Sequence, residues 1–184
     1  MPATQYYTAT SLDGYIADEN NSLDWLFEVD RDADAGEQSF AAFLSDVGAM
    51  AMGATTYEWV LEHEKLLEDP AKWHEFYADI PCWVFTHRDL RVVPDASVEF
   101  TSDPVETVHA RMVEAAGGKN VWLVGGGDLV GQFADAGLLD EVIVYVAPVT
   151  LGAGKPLLPR HIELRLEETA RNGDFVTVRY SVAR

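Results

Sequence analysis

The thirteen residues Val121-Trp122-Leu123-Val124-Gly125-Gly126-Gly127-Asp128-Leu129-Val130-Gly131-Gln132-Phe133 constrain the fold more than any other stretch of the chain. Four apolar residues in a row suit a strand buried on both faces. Beyond the glycines, Leu129, Val130, Phe133, Ala134 and Leu138 recur near a 3.6-residue period, which predicts a helix. Three glycines therefore stand where a parallel strand hands over to a helix N-terminus. Lacking Cβ atoms, they let a ligand approach bare backbone, and the first-turn N–H groups and the helix dipole favour an anion there. A phosphate is the expected occupant. Two familiar phosphate motifs are excluded by residue. Gly125-x-Gly127 would need glycine at Val130 to complete a Rossmann fingerprint. Gly154-Lys155 lacks both the glycine five residues before Gly154 and the Ser/Thr after Lys155 that a P-loop requires.

The chain has 184 residues, enough for one domain (1–184) with a real core. No apolar run reaches membrane-spanning length, and no basic stretch followed by an apolar one opens the chain, so we expect neither membrane insertion nor export. Cys82 is the sole cysteine, which suits a reducing, cytoplasmic setting. The net charge of −18 argues against nucleic acid, whose phosphates would be repelled. An anionic ligand must then be held by local donors. The few cations near glycine-rich turns carry more information for that reason.

Taken in order, Gln5 to Thr10 reads as a first strand and 11–21 as a polar loop with Asp13-Gly14 and Asn20-Asn21 turn signals. Ser22 is a candidate cap for a short helix through Asp24 and Phe27, and 38–47 has helical spacing. Ala49 to Gly53 reads as a buried strand and Ala54 to Leu61 as the helix after it, a second strand–glycine–helix junction. Residues 62–80 read as a charged surface excursion with a short helix. Cys82 to Phe85 is the next buried strand, leaving through Thr86-His87-Arg88. A short strand at 97–100, a helix at 104–116, a strand at 141–147 and a Gly/Pro-rich loop at 148–159 follow. Two strands around Asn172-Gly173 close the chain as a hairpin. Alternating strands and helices predict an α/β fold with a mainly parallel sheet and an antiparallel C-terminal edge, whose ligand sits at the carboxyl ends of the strands.

Chemistry-bearing motifs are sparse. No Gly-x-Ser-x-Gly elbow is present, Cys82 lies inside an apolar strand, and no two of the five histidines fall at i, i+4, so no metal site is expected. Asp13 and Asp24 are the candidate carboxylates on the rim of a nucleotide cleft. Either also suits a structural role, Asp13 in a turn and Asp24 in a first helical turn.

Thr8-Ala9-Thr10-Ser11-Leu12-Asp13-Gly14-Tyr15-Ile16-Ala17, Met52-Gly53-Ala54-Thr55-Thr56-Tyr57-Glu58, Val124-Gly125-Gly126-Gly127, Leu139-Asp140-Glu141 and Pro148 to Leu157 together resemble the dihydrofolate reductase-like superfamily. Within it the chain is most similar to the reductase domain of the riboflavin-biosynthesis deaminase-reductase. The resemblance implies a three-layer α/β/α fold and NADPH as hydride donor to a pterin-, pyrimidine- or related heterocyclic or carbonyl acceptor. It assigns Ala9 and Ile16 to the nicotinamide, Gly53, Thr55 and Thr56 to the pyrophosphate, and Thr86, His87 and Arg88 to the adenosine 2′-phosphate. Gly125, Gly126, Gly127, Asp128 and Leu129 match a second phosphate-binding turn whose glycine pair is joined by a cis peptide. Where such proteins usually carry a basic residue after Gly53 this chain has Ala54, which leaves Arg88, with His87, to recognise the 2′-phosphate. It also implies a homodimer, and the segment 142–160, free of Asp and Glu, is the expected contact. A true dihydrofolate reductase, with Asp24 beside Trp25 as the pterin-binding acid, and a non-catalytic nucleotide-binding regulator are the competing readings.

Overall fold

Apolar strands that cannot face water pair side by side and are covered by helices on both faces, and that is the architecture of the computed structural model, which describes residues 2–30 and 40–183. Strands β1 (Thr4–Thr10), β3 (Val47–Gly53), β4 (Cys82–Phe85), β5 (Val98–Thr101), β6 (Asn120–Gly125) and β7 (Glu141–Val146) run parallel. Strands β9 (Leu164–Asn172) and β10 (Phe175–Val182) add an antiparallel hairpin. The eight strands lie in the order β5-β4-β3-β6-β1-β7-β10-β9. The run 121–133 is therefore central, forming strand β6, between β3 and β1, and helix α6 (Gly127–Asp135).

Alternation along each strand sorts the core into two layers. Tyr6, Val121, Leu123 and Val144 point to one face, where α5 (Val105–Ala115) and α6 bury Val108, Met112, Val130 and Phe133 against them. Met50, Met52, Val84 and Trp122 point to the other, covered by α3 (Ala54–His63) and α4 (Ala71–Tyr77). Two short helices, α1 (Asp24–Phe27) and α2 (Phe40–Ser45), flank this second face.

The expected three-layer α/β/α fold with an antiparallel C-terminal hairpin is present. Its details differ in three places. Residues 62–80 are not a surface excursion: α4 buries Trp73 and Tyr77, and Trp73 stands edge-on to Tyr57 with ring centroids 6.2 Å apart. Charged residues surround these rings in sequence, but they occupy the outer face of the helix. The polar loop 11–21 and the Gly/Pro-rich loop 148–159 are not independent either, since β2 (Tyr15–Ala17) and β8 (Lys155–Pro156) pair as a separate two-stranded ribbon. Finally, β3 starts at Val47, two residues before the apolar run implies, because Val47 pairs with Asn120 at the start of β6. The helix expected over 38–47 is α2 from Phe40 onward, and its first two positions lie outside the described residues.

Candidate functional site

Because β3, β4, β5, β6 and β1 are parallel, their carboxyl ends share one edge of the sheet, and a cleft of about 1210 Å³ runs along that edge. It is bounded by strand exits and by the helices that follow them. Gly53, Ala54, Thr55 and Thr56 line it where β3 becomes α3. Gly125, Gly126, Gly127, Asp128 and Leu129 line it where β6 becomes α6. Thr86 and His87 leave β4 into it, as do Thr101 and Ser102 after β5, and Ala9 and Ile16 reach it from β1 and β2.

Neither of the two helix starts carries a side-chain cap. First-turn N–H groups without a cap need an external acceptor, and here two sets open into the same cleft. The Gly125–Gly126 peptide is cis, as the resemblance implies. A Cβ on Gly126 would meet only the Ile16 Cδ1, at 3.8 Å, so the space beyond it belongs to the cleft. Gly127 differs. A Cβ there would run into the carbonyl oxygens of Pro156 and Leu157, so its smallness lets β8 lie against the start of α6. Tyr6 Oη, donating to the Leu157 carbonyl at 2.9 Å, holds that loop from beneath.

Three sequence candidates do not reach the cleft. The Asp13 carboxylate is spent on the loops: it accepts from Ser11 Oγ at 2.6 Å, from the Leu151 N–H at 3.0 Å and from the Gly152 N–H at 2.7 Å. The Ser11 hydroxyl foremost, then the two amides, holds this carboxyl below its usual range, which makes it a poor proton donor at neutral pH. Asp24 is exposed in the first turn of α1 and does not line the cleft, so the pterin-acid role has no geometry to support it. Arg88 also stands outside the lining. Its guanidinium forms a two-pronged pair with Glu58 of α3, Nη2 to Oε2 at 2.7 Å and Nη1 to Oε1 at 3.2 Å. Asp128 lines the cleft with its carboxylate tied to Arg160 Nη2 and Gln132 Nε2, both at 3.1 Å.

The reading from sequence missed the aromatic end of the cleft. Tyr7, Phe40, Trp59, Trp122, Tyr145 and Phe175 all line it. Alternation along β1 puts Tyr7 on the face of Ala9, and that signal was available. The partnership with Tyr145 depends on the β1–β7 register, which pairs Ala9 with Tyr145. Among the described residues no cluster of His, Cys, Asp and Glu is arranged to hold a metal ion, and no helix is long and apolar enough to cross a membrane.

Comparison with known proteins decides the family. The model of the RibD C-terminal domain matches residues 2–175. The chain belongs to the RibD C-terminal domain family. The uncharacterized protein YwjB of Bacillus subtilis is 36% identical over 180 residues, 96% of each chain. Among solved structures, one from Shewanella sp. PV-4, whose name assigns it provisionally to riboflavin biosynthesis, superposes with a TM-score of 0.79 at 25% identity over 99% of both chains. The Thermotoga maritima diaminohydroxyphosphoribosylaminopyrimidine deaminase/5-amino-6-(5-phosphoribosylamino)uracil reductase gives a TM-score of 0.65 at 16% identity, over 99% of this chain and 57% of that one. The RibD C-terminal family thus has the reductase-like, dihydrofolate reductase-like architecture described above, and this member is matched along almost its whole length.

Proposed function

We propose that the protein is an NADPH-dependent reductase acting on a pterin-, pyrimidine- or related heterocyclic or carbonyl acceptor. One observation carries the reading. Two uncapped helix starts, at Gly53 to Thr56 and Gly126 to Leu129, open side by side into a cleft that also reaches Ala9 and Ile16. Backbone N–H groups there suit a pyrophosphate in a chain whose 13 Lys and Arg are outnumbered by 31 acids. When bound, a dihydronicotinamide supplies a hydride to an electrophilic carbon and is left oxidised. Ala9 and Ile16 are small or apolar enough to seat its ring, and the aromatic end beyond them orients the acceptor. Asp13 and Asp24 lie outside the cleft, so the proton for the heteroatom beside the reduced carbon comes from neither.

Titration calorimetry with NADPH and NADH, followed by NADPH oxidation with pterin and pyrimidine acceptors, tests the reading. Absence of binding by either dinucleotide would overturn it. Tight binding without turnover on any acceptor would instead favour the nucleotide-binding regulator. Dihydrofolate as the acceptor finds no support in the position of Asp24. A cytoplasmic site of action belongs to the same proposal, supported by the lone, fully buried Cys82.

Preference for NADPH over NADH rests on Arg88, which must exchange Glu58 for a 2′-phosphate. The pair is open to solvent, Arg88 being 56% exposed, so both the pair and its replacement are screened. Arg88→Ala is expected to weaken NADPH by about 1.5 kcal/mol, the low end for hydrogen bonds to charged groups, and to leave NADH nearly unchanged. Glu58→Gln should strengthen NADPH by releasing the guanidinium. Calorimetric titration of both variants checks this, and equal losses for the two cofactors in Arg88→Ala would place Arg88 elsewhere.

The proposal extends to a two-fold homodimer. The segment 142–160 has no acid, and the adjoining hairpin exposes Leu164, Leu166 and Val176. Leu164 and Leu166 pair with Val182 and Tyr180, which pack against the α5/α6 core layer, so these leucines continue an apolar face. Two copies with a charge of −18 each associate only through such a face, burying upward of about 1,000 Å² in total. Light scattering at micromolar concentration should give twice the monomer mass at low and high salt, and a monomer in both would sink the idea.

A further inference from the structure

The order of strands along the cleft separates two chemistries. From β5 through β4 and β3 to β6, the lining carries hydroxyls and backbone N–H groups at Thr101, Ser102, Thr86 and the two helix starts, together with Phe85, His87, Asp103 and Val124. From β6 onward through β1, β7 and β10 rings become frequent: Trp122, Tyr7, Tyr145 and Phe175 from the strands, with Phe40 of α2 beside Tyr7 and Trp122. The rings meet at several angles. Tyr7 and Tyr145 have centroids 5.2 Å apart and are tilted by 55°, Tyr7 stands edge-on to Trp122, and Phe43 stacks behind Tyr7 at 4.1 Å.

Formal charge is distributed in the same uneven way. The charged side chains lining the cleft are Asp103, Asp128 and Lys155, with His87. Lys155, in β8, pairs with Ala17 of β2, one residue from Ile16. Three arginines that do not line the cleft are ion-paired, Arg88 with Glu58, Arg160 with Asp128 and Asp135, and Arg179 of β10, which shares a second pocket with Tyr7 and Tyr145, with Glu141. Among the described residues that line the cleft, then, none from α2, β1, β6, β7 or β10 is a cation. A phosphate monoester carries close to two negative charges at neutral pH, and taking it from water into an aromatic-lined end without a counter-charge is strongly unfavourable.

We propose that the acceptor is a flat, uncharged ring system bearing no phosphate ester, in contrast to the phosphoribosylated uracil in the name of the Thermotoga relative. The inference rests on the reductase reading, since it assigns the anion-binding end to the cofactor and the aromatic end to the acceptor.

The experiment compares ligands that differ only in the phosphate. NADPH is titrated first, by itself, and a failure there removes the reductase reading and this inference with it, whereas the acceptor comparison tests this inference alone. Protein saturated with NADP⁺ is then titrated with 5-amino-6-ribosylaminouracil, with its 5′-phosphate, and with lumazine as a bare bicyclic ring. The unphosphorylated uracil is expected to bind at least tenfold tighter than its phosphate, and lumazine to bind measurably. A preference below tenfold, a preference for the phosphate, or no binding by either uncharged ring would each overturn the proposal.

Discussion

Gly126→Val is expected to lower NADPH affinity at least 100-fold, about 2.7 kcal/mol, while the protein melts close to the wild-type temperature. Gly126 has φ −75° and ψ 179°, a backbone conformation open to any residue. The nearest atom to a Cβ there is Ile16 Cδ1 at 3.8 Å, an ordinary contact. The added side chain therefore projects into the cleft and fills the space that a phosphate needs against the first-turn N–H groups of α6. Gly127→Ala serves as the contrast. Its Cβ collides with the backbone of Pro156 and Leu157, so it should lower stability and unseat the β8 loop as well. Calorimetric titration beside thermal melts separates the two effects. Undiminished affinity in Gly126→Val would remove the α6 start from the site.

Trp73→Ala is expected to cost about 3–5 kcal/mol of folding stability, the range for deleting a large buried aromatic. Trp73 is 1% exposed and sits between Tyr77, at 4.8 Å between centroids, and Tyr57, at 6.2 Å. The void left by its removal lies in the layer that also holds Met50, Met52 and Trp122, beneath the cleft. Close-packed neighbours relax only in part, so the transfer and cavity costs add. For a domain of this size such a loss takes a large share of the total. Urea unfolding monitored by tryptophan fluorescence measures it. A loss under about 1 kcal/mol would mean that α4 is peripheral after all.

The misplacement of Trp73 in the sequence reading shows where local pattern stops being informative. Residues 62–80 are dense in Glu, Asp, Lys and His, and in α4 the apolar positions Trp73 and Tyr77 are four apart, a single stripe on a seven-residue helix. Such a stripe faces water or core depending on what lies beneath it, and here β3 and β4 supply Met50, Met52 and Val84. The carboxylates failed for a related reason. Asp13 before Gly14 is legible as a turn residue, but its partners Leu151 and Gly152 lie some 138 positions later, joined to it only when β2 and β8 pair. Arg88 is correctly placed at a strand exit, and its capture by Glu58 depends on α3 lying beside β4.

Local chemistry alone determined the strand–glycine–helix junctions at Gly53 and Gly125 to Gly127, the parallel class of the sheet, the hairpin at Asn172-Gly173 and the burial of Cys82. Each follows from residues within one turn or one strand of each other, where period, glycine geometry and apolar runs act directly. Tertiary structure alone decided the strand order that brings two helix starts to one cleft, the gathering of Tyr7, Tyr145 and Phe175 at its far end, and the diversion of Asp13 and Arg88 into pairs outside it. Those outcomes depend on which distant strands share hydrogen bonds, and non-local pairing is chosen by the packing of the whole core, which no window of sequence contains.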